Sequence, residues 1–323
     1  MQPFEYARPA TKEAVVKLLS ANWGETEVLA GGTDLLDRTK DYLSTPKRVV
    51  SLQGVKELRS IHPNAGGLSI GATVTLTELT ESPQVRSGYA GLAQAAAQIG
   101  GPQLRNQGTV GGELCQRPRC WYYRAGYGLL AQDNGKALVP DGDNRYHAIF
   151  GNSGPAYFVS PSMLAPALMA LGAKVRLLGP EGTRELPVEL FFVIPASPDD
   201  REHALKPNEI VVEVLLPPAR GLKSATYTLR QRETLDWPLA QASVVAEVTG
   251  KTVKVARVIM GHVAPVPWPS PEAGQVLAGK AISEHLADEA GKAAVSKATP
   301  LSRNAYKVQL ARVAVKRAIL ALA

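Results

Sequence analysis

The sequence predicts an α+β protein of two or more packing units, and three observations support this. The chain has 323 residues, more than one small domain usually contains. Short apolar strands and short helices follow one another closely in the first two thirds, and the pattern changes after Pro217 and Pro218. Apolar residues make up 45% and charged residues 20% of the chain, a composition typical of a globular protein with a sizeable core.

The first hundred residues predict alternating strands and helices. Residues 9–20 read as a short helix with Thr11 as its N-cap. The stretches "TEVLAGG" and "KRVVSL" read as strands, and the first ends at its glycine pair. "GLSIGATVTLTEL" predicts a strand that runs into a helix at about 76–81. "GLAQAAAQIG" predicts an alanine-rich helix that closes at Gly100 and Gly101.

The middle of the chain contains a long irregular segment, residues 117–152, in which Pro, Gly, Asp and Asn alternate with aromatic residues. Segments of this kind in compact domains are usually functional or disordered. Beyond it, "SPSMLAPALMALGAKVRLL" predicts a helix that ends near Gly172 and then a strand. "EIVVEVLLP" predicts a strand that stops at the proline pair.

The last hundred residues predict a separate, smaller α+β unit. "ATYTLRQRET", "AQASVVAEVTG" and "TVKVARVIMGHV" read as three antiparallel strands, and a helix is expected from about Ser302. We therefore predict a domain boundary near residue 220.

The charge distribution argues against nucleic-acid binding. The net charge is +7 and the pI is about 9.3, but Lys and Arg are scattered and accompany no nucleic-acid-binding motif. They gather only at "QRPRCWYYR" and in the last helix, where a solvated face explains Arg303, Lys307, Arg312, Lys316 and Arg317.

Neither a membrane span nor a signal peptide is predicted, since no apolar run approaches about eighteen residues. The two cysteines, Cys115 and Cys120, form no disulfide framework and suit a reducing compartment. The expected location is cytoplasmic, and the alternative is periplasmic, through an export signal on a partner subunit.

Two glycine-paired loops are the main functional signal. "LAGGTDLL" and "GTVGGEL" each place two glycines beside hydroxyl or carboxylate residues: Thr33 and Asp34 in the first, Thr109 in the second. Such loops let backbone N–H groups converge on an anion, so the pair predicts a shared dinucleotide diphosphate site. Each loop alone also fits an ordinary turn, since neither has the G-x-G-x-x-G or P-loop spacing.

With these motifs in order, the chain resembles the FAD-binding subunits of the molybdenum hydroxylases, the xanthine dehydrogenase, aldehyde oxidoreductase and carbon monoxide dehydrogenase group. "LAGGTDLL", "QLRNQGTVGGELCQRPRCWYYR", "NRYHAIFG", "PSMLAPALMALGA", "DWPLAQASVVAEV" and "GHVAPVPW" carry the likeness over nearly the whole chain. The branch of aldehyde oxidoreductases with an iron-sulfur insertion is the most similar.

The resemblance implies a two-subdomain FAD-binding fold of the vanillyl-alcohol-oxidase (PCMH) type, about 1–58 and 59–220. A C-terminal α+β domain of the CO dehydrogenase flavoprotein type follows at 221–323. It also implies the residues that contact FAD: Leu29, Ala30, Gly31, Gly32, Thr33, Asp34, Leu35, Leu36, Thr109, Gly111, Gly112, Glu113 and Val211. Glu113 stands where the family usually has Asn. Met163 stands where an Asp often follows "PS", and Thr228 stands where a Lys is frequent near the flavin ring. Glu113 is compatible with a diphosphate if its side chain points away or pairs with Arg105, Arg117 or Arg119.

The implied function is that of an FAD electron-transfer subunit of a molybdenum-dependent oxidoreductase. A large subunit would carry the molybdenum cofactor, a small subunit the [2Fe-2S] clusters, and FAD would pass electrons to an external acceptor. The resemblance also leaves open a fold-retaining scaffold subunit with weak or no FAD binding. An autonomous flavin oxidoreductase is less consistent with the sequence, because no substrate-side catalytic constellation is visible.

We predict no [4Fe-4S] cluster, no metal site and no catalytic residue in this chain. Such a cluster is normally held by four thiolates, and the chain has two cysteines, of which only Cys120 matches the insertion's ligand pattern. The five histidines lack metal-binding spacing. His147, Trp121, Tyr122 and Tyr123 are interpreted as packing and hydrogen-bonding residues of the insertion.

Overall fold

A computed structural model describes residues 1–233 and 236–323 of the protein. Its strands, in chain order, are β1 (Glu5–Ala7), β2 (Thr26–Leu29), β3 (Arg48–Ser51), β4 (Ile61–Asn64), β5 (Gly67–Gly71), β6 (Gln132–Asp133), β7 (Lys136–Ala137), β8 (Lys174–Gly179), β9 (Gly182–Pro187), β10 (Ile210–Leu216), β11 (Leu222–Leu229), β12 (Ala240–Thr249), β13 (Thr252–Gly261) and β14 (Trp268–Pro269).

The helices are mostly short. They are α1 (Lys12–Leu18), α2 (Leu35–Lys40), α3 (Leu76–Glu81), α4 (Pro83–Gly88), α5 (Ala90–Ala97), α6 (Pro102–Gln107), α7 (Val110–Leu114), α8 (Trp121–Arg124), α9 (Leu164–Leu171), α10 (Val188–Phe191), α11 (Pro271–Leu277), α12 (Glu284–Ala294) and α13 (Tyr306–Leu320), with a 3-10 turn at Lys56–Leu58.

The N-terminal sheet is parallel and has the order β1-β3-β2. Helix α1 connects β1 to β2 and begins at Thr11, whose side-chain oxygen accepts a hydrogen bond from the Ala14 N–H at 3.2 Å. Strand β2 ends at Leu29, and the glycine pair follows after Ala30. The sheet therefore delivers the first glycine loop at the carboxyl end of a strand.

The second sheet is antiparallel, with the order β4-β5-β10-β8-β9. Its core includes the buried side chains Ile70, Leu79, Leu92 and Leu168 from β5, α3, α5 and α9. Gly172 ends α9 in the left-handed conformation (φ 73°), as the sequence predicts. The second glycine loop lies in α7, which packs against β5, β10 and α9.

Residues 117–152, which the sequence predicts to be irregular, contain only α8 and the β6-β7 hairpin as regular structure. Together with Ala156 and Phe158, which follow it, the segment forms a small core: Cys120, Tyr123, Leu129, Leu130, Ala131 and Val139. The segment is therefore packed around apolar and aromatic side chains.

The last unit is a four-stranded sheet of order β11-β12-β13-β14, covered by α11, α12 and α13. Strands β11, β12 and β13 pair antiparallel, which confirms the three predicted strands. The last helix begins at Tyr306 rather than near Ser302. No helix in the described parts of the chain is long and apolar enough to cross a bilayer.

Lys307 corrects the interpretation of the last helix as a uniformly solvated basic face. Its side chain is 1% exposed. The ammonium group donates to the backbone oxygens of Tyr146 at 3.2 Å, His147 at 3.1 Å and His262 at 2.8 Å. Three carbonyl acceptors satisfy the three donors of a lysine, so Lys307 fixes α13 to the insertion and to the end of β13.

Candidate functional site

The two glycine loops meet at Gly31. A Cβ atom added to Gly31 would lie 1.9 Å from the backbone oxygen of Gln107 and 3.1 Å from the Cα of Gly108. These two residues lead directly into Thr109. No side chain fits between the segments, so only glycine allows this approach.

The first glycine loop, Leu29–Leu36, holds unpaired backbone donors. Within the described residues, the N–H groups of residues 31–34 have no hydrogen-bond acceptor. Gly32 has φ 77°, which glycine adopts without strain. A run of unpaired amides in a tight loop is an arrangement that binds anions. The first loop can therefore donate to a diphosphate.

The second glycine loop, Thr109–Glu113, uses its amides internally. The Gly111 N–H donates to the Ala72 oxygen at 2.8 Å, and the Gly112 N–H donates to the Thr109 hydroxyl at 3.2 Å. A Cβ on Gly111 would lie 2.8 Å from the Cβ of Ala72. The amides of Gly111 and Gly112 are thus used within the fold, and Gly111 allows close packing on Ala72; the predicted contacts of this loop with FAD stay predictions.

A pocket, here called the inner cavity, lies beside both loops and has a volume of about 130 Å³. Ala30 from the first loop, Gly111 and Gly112 from the second, and Val211 from β10 all line it. Four residues predicted from sequence thus share one cavity. Cys115 lines it too, and burial raises the pKa of this thiol to about 12, so it is a neutral side chain.

A larger space, the outer cleft, has a volume of about 640 Å³ and shares Ala30 with the inner cavity. Gly31 and Thr109 line it, so it also borders both loops. Arg8 and Lys56 line it, and so does Arg59, whose guanidinium pairs with Glu78 at 2.8 Å. This excess of positive charge favours an anionic group in the cleft.

Asp34 has a role that the sequence did not indicate. Its carboxylate contacts Arg119 at 2.6 Å, Arg124 at 2.8 Å and Arg38 at 3.3 Å, and it accepts the Arg117 N–H at 3.1 Å. Burial opposes ionisation, but the arginines outweigh it and hold the pKa of this carboxyl below its usual range. Asp34 therefore fastens the insertion to the first loop through its side chain, and its predicted contact with FAD stays a prediction.

The other residues of the first loop serve its shape. Leu35 is buried, Leu36 is exposed, and a Cβ at Gly32 would lie 3.2 Å from side-chain atoms of Leu29 and Leu36. Thr33 is exposed. The predicted contacts of these residues with a cofactor remain predictions.

Glu113 points away from the first loop into the protein. Its carboxylate accepts hydrogen bonds from the Ser162 hydroxyl at 2.6 Å, the Met163 N–H at 2.6 Å and the Gln116 side chain at 3.1 Å. It therefore caps the start of α9. Burial raises its pKa to about 7 in spite of these hydrogen bonds. Of the two ways in which this carboxylate is compatible with a diphosphate, the structure shows the first, and no arginine pairs with it among the described contacts.

The two other departures from the family pattern are also buried or engaged. Met163 is 2% exposed, and its backbone oxygen accepts from the Gln241 side chain at 2.8 Å. The Thr228 hydroxyl bonds to the Gln98 side chain, next to the guanidinium of Arg230. Both side chains are uncharged, so neither departure from the family pattern buries a charge without a partner.

In the insertion, the Cys120 thiol lies 3.1 Å from Nε2 of His147, and both side chains are buried. Burial raises the pKa of Cys120 and lowers that of His147 to about 4, so both are neutral near pH 7. Trp121 and Tyr122 pack near His147 at centroid distances of 6.1 and 5.8 Å. Over residues 1–233 and 236–323, no three His, Cys, Asp or Glu side chains gather in a way that could hold a metal ion.

Several residues of the site were missed in the sequence. Trp23, Arg201 and His203 line the inner cavity, but they lie in loops far apart in the chain. Arg117, Arg119 and Arg124 surround Asp34. The sequence shows that these arginines cluster in "QRPRCWYYR", and such a cluster indicates a buried acidic partner.

The fold and the loops define a class: FAD-binding flavoproteins with a two-subdomain cradle and a separate α+β domain. The family model described as "FAD binding domain in molybdopterin dehydrogenase" matches residues 2–219, and "CO dehydrogenase flavoprotein C-terminal domain" matches residues 225–322. The chain belongs to the family of FAD-binding subunits of molybdenum hydroxylases.

Similar proteins include the aldehyde oxidoreductase FAD-binding subunit PaoB of Escherichia coli (strain K12), 32% identical over 97% of this chain and 96% of that protein. The carbon monoxide dehydrogenase medium chain of Hydrogenophaga pseudoflava is 29% identical over 98% of this chain and 96% of that protein. A crystal structure of carbon monoxide dehydrogenase from Hydrogenophaga pseudoflava superposes with a TM-score of 0.76 at 28% identity, covering 100% of this chain and 98% of that one.

Proposed function

We propose that this chain binds FAD and acts as the flavin electron-transfer subunit of a molybdenum-containing hydroxylase or dehydrogenase. The observation that carries the proposal is the run of unpaired amides at residues 31–34, beside a cavity that both glycine loops and Val211 line. Both family models and the full-length relatives support it. The electrons would come from [2Fe-2S] clusters on a partner and leave to an external acceptor.

The residues present fit FAD. The amides of the first loop offer donors for the diphosphate, and the cations of the outer cleft add positive charge. The second loop keeps its glycines close to Ala72, so backbone rather than side chains forms that wall. When bound, the isoalloxazine of FAD supplies one- and two-electron exchange. The chain's own part is to hold the diphosphate and to exclude water from the inner cavity.

We propose two partner subunits, a large one with the molybdenum cofactor and a small one with [2Fe-2S] clusters. The relatives support this, since two of them are named as the medium chains of carbon monoxide dehydrogenases. The substrate would be oxidised on the large subunit, which agrees with the lack of a predicted substrate-side catalytic group here. A cytoplasmic location agrees with two free cysteines.

The visible spectrum of the purified full-length chain tests the proposal. Flavin absorption bands, released as FAD on denaturation, are the expected result, and added FAD should restore them after the cofactor has been removed. A colourless protein that takes up no added FAD would contradict the proposal and favour a scaffold role. Co-purification with molybdenum and [2Fe-2S] subunits tests the proposed complex separately.

A further inference from the structure

A strap of residues 197–207, between α10 and β10, borders the inner cavity through Arg201, His203, Leu205 and Pro207. The Arg201 guanidinium carbon lies 4.3 Å from the centroid of the Trp23 ring. Trp23 lies in the loop before β2, so the pair joins the strap to the N-terminal subdomain. Both residues line the cavity.

The next two residues fasten the strap to the second subdomain. Glu202 forms an ion pair with Arg117 at 2.5 Å, with side-chain exposures of 5% and 9%. The His203 ring stacks on Phe191 with centroids 5.5 Å apart. Glu202 and His203 therefore hold the strap in place, while Arg201 forms its contact with Trp23.

His203 also offers an unpaired polar atom at the cavity. The residue is 8% exposed, and its Nδ1 is buried without a hydrogen-bond partner among the described residues. Burial lowers the pKa of this histidine, so the ring is neutral. A neutral imidazole beside a planar cation and an indole is a surface that suits a heteroaromatic ring with hydrogen-bonding edges.

We propose that Trp23 and Arg201 close the inner cavity over the adenosine end of FAD and so slow its release. The inference rests on the proposed FAD binding. The redox-active ring needs contact with an electron donor and an acceptor, whereas adenine needs neither, so the smaller of the two spaces beside the loops suits adenine. An indole or a guanidinium can stack on any base, because every base has a flat π-face, and the loss of one such contact weakens binding measurably.

The experiment compares Trp23→Ala, Trp23→Phe and Arg201→Ala in the full-length chain. Arg145→Ala is the matched control, since Arg145 lies 5.6 Å over the Trp121 ring, away from the cavity. FAD dissociation is followed by the recovery of flavin fluorescence, and ADP affinity by competition with FAD. Circular dichroism confirms that each variant is folded.

We expect Trp23→Ala and Arg201→Ala to release FAD at least tenfold faster and to weaken ADP by a similar factor. Trp23→Phe should release FAD almost as slowly as the wild type, because it keeps an aromatic ring. Arg145→Ala should release FAD at the wild-type rate. Unchanged FAD dissociation in both alanine variants would overturn the closure. Unchanged ADP affinity, or no competition by ADP, would overturn the assignment to adenosine. A wild-type chain that binds no FAD would instead refute the proposed function.

Discussion

Replacement of Gly31 by alanine tests the contact on which the site depends. The added Cβ would lie 1.9 Å from the Gln107 oxygen, about 1.5 Å short of ordinary contact at 3.4 Å. Overpacking of this kind costs about 1–3 kcal/mol. The free protein relieves the strain if the loops move apart, but the cavity that both loops line depends on their approach. The FAD affinity should therefore fall by a factor of about 5 to 150.

The assay is a titration of cofactor-free protein with FAD, followed by flavin fluorescence. Gly88→Ala is the matched control, because no atom lies within 4 Å of its added Cβ and its φ is not in the left-handed region. The control should bind FAD as the wild type does. Far-ultraviolet circular dichroism separates lost affinity from lost folding.

The reasoning is refuted if folded Gly31→Ala binds FAD with wild-type affinity, since the loops would then tolerate separation. The same method applies to Gly32→Val and Gly111→Val, both of which we expect to lose FAD. The Gly111 variant should also lose thermal stability, because its Cβ meets the backbone and Cβ of Ala72. The Gly32 variant meets only leucine side chains but forces a β-branched residue to φ 77°.

Three further changes test the surroundings of the site. Glu113→Gln should remove a pH dependence of the free energy of unfolding. Burial raises the pKa of Glu113 from 4.5 to about 7, so between these pH values the folded state keeps a proton that the unfolded state releases. Wild-type stability therefore falls as the pH rises from 4.5 to 7. At 1.36 kcal/mol per pKa unit the wild type should lose about 3 kcal/mol relative to the variant, measured by unfolding at pH 4.5 and pH 8; a constant difference would contradict the raised pKa. Asp34→Asn should destabilise the attachment of the insertion by about 3 kcal/mol, seen as faster proteolysis within residues 117–152, and an unchanged cleavage rate would argue against its role as an anchor. Cys120→Ser should leave the iron content unchanged, and a fall in iron would disprove the predicted absence of a cluster.

The fold could be predicted because local patterns and the family motifs agree along the chain. The strand before the first glycine pair, the helix that ends at Gly172 and the three strands after the proline pair each have a local cause that the structure confirms. Lys307 shows where local pattern fails. Its position in a basic helix says nothing about the three carbonyl oxygens that converge on it from distant segments.

The limits of prediction at the site have the same origin. That Glu113 caps α9 depends on residues about fifty positions later, and that Asp34 binds arginines depends on residues more than eighty positions later. Sequence shows that a carboxylate is present but not which donors surround it. Trp23 and Arg201 were invisible for this reason, since no motif links two loops that meet only in the folded chain.

The contact between the two glycine loops explains why the fold contains both. The four amides of residues 31–34 have no acceptor in the fold and so do not secure the first loop, which must be supported by another segment. The second loop does this, because its amides are satisfied by Ala72 and Thr109 while the bare backbone at Gly31 rests on Gln107. Glycine in the first loop therefore permits the contact with Gln107, and glycine in the second permits packing on Ala72. A side chain at Gly111 should act through the position of the loop, and one at Gly31 through the contact itself.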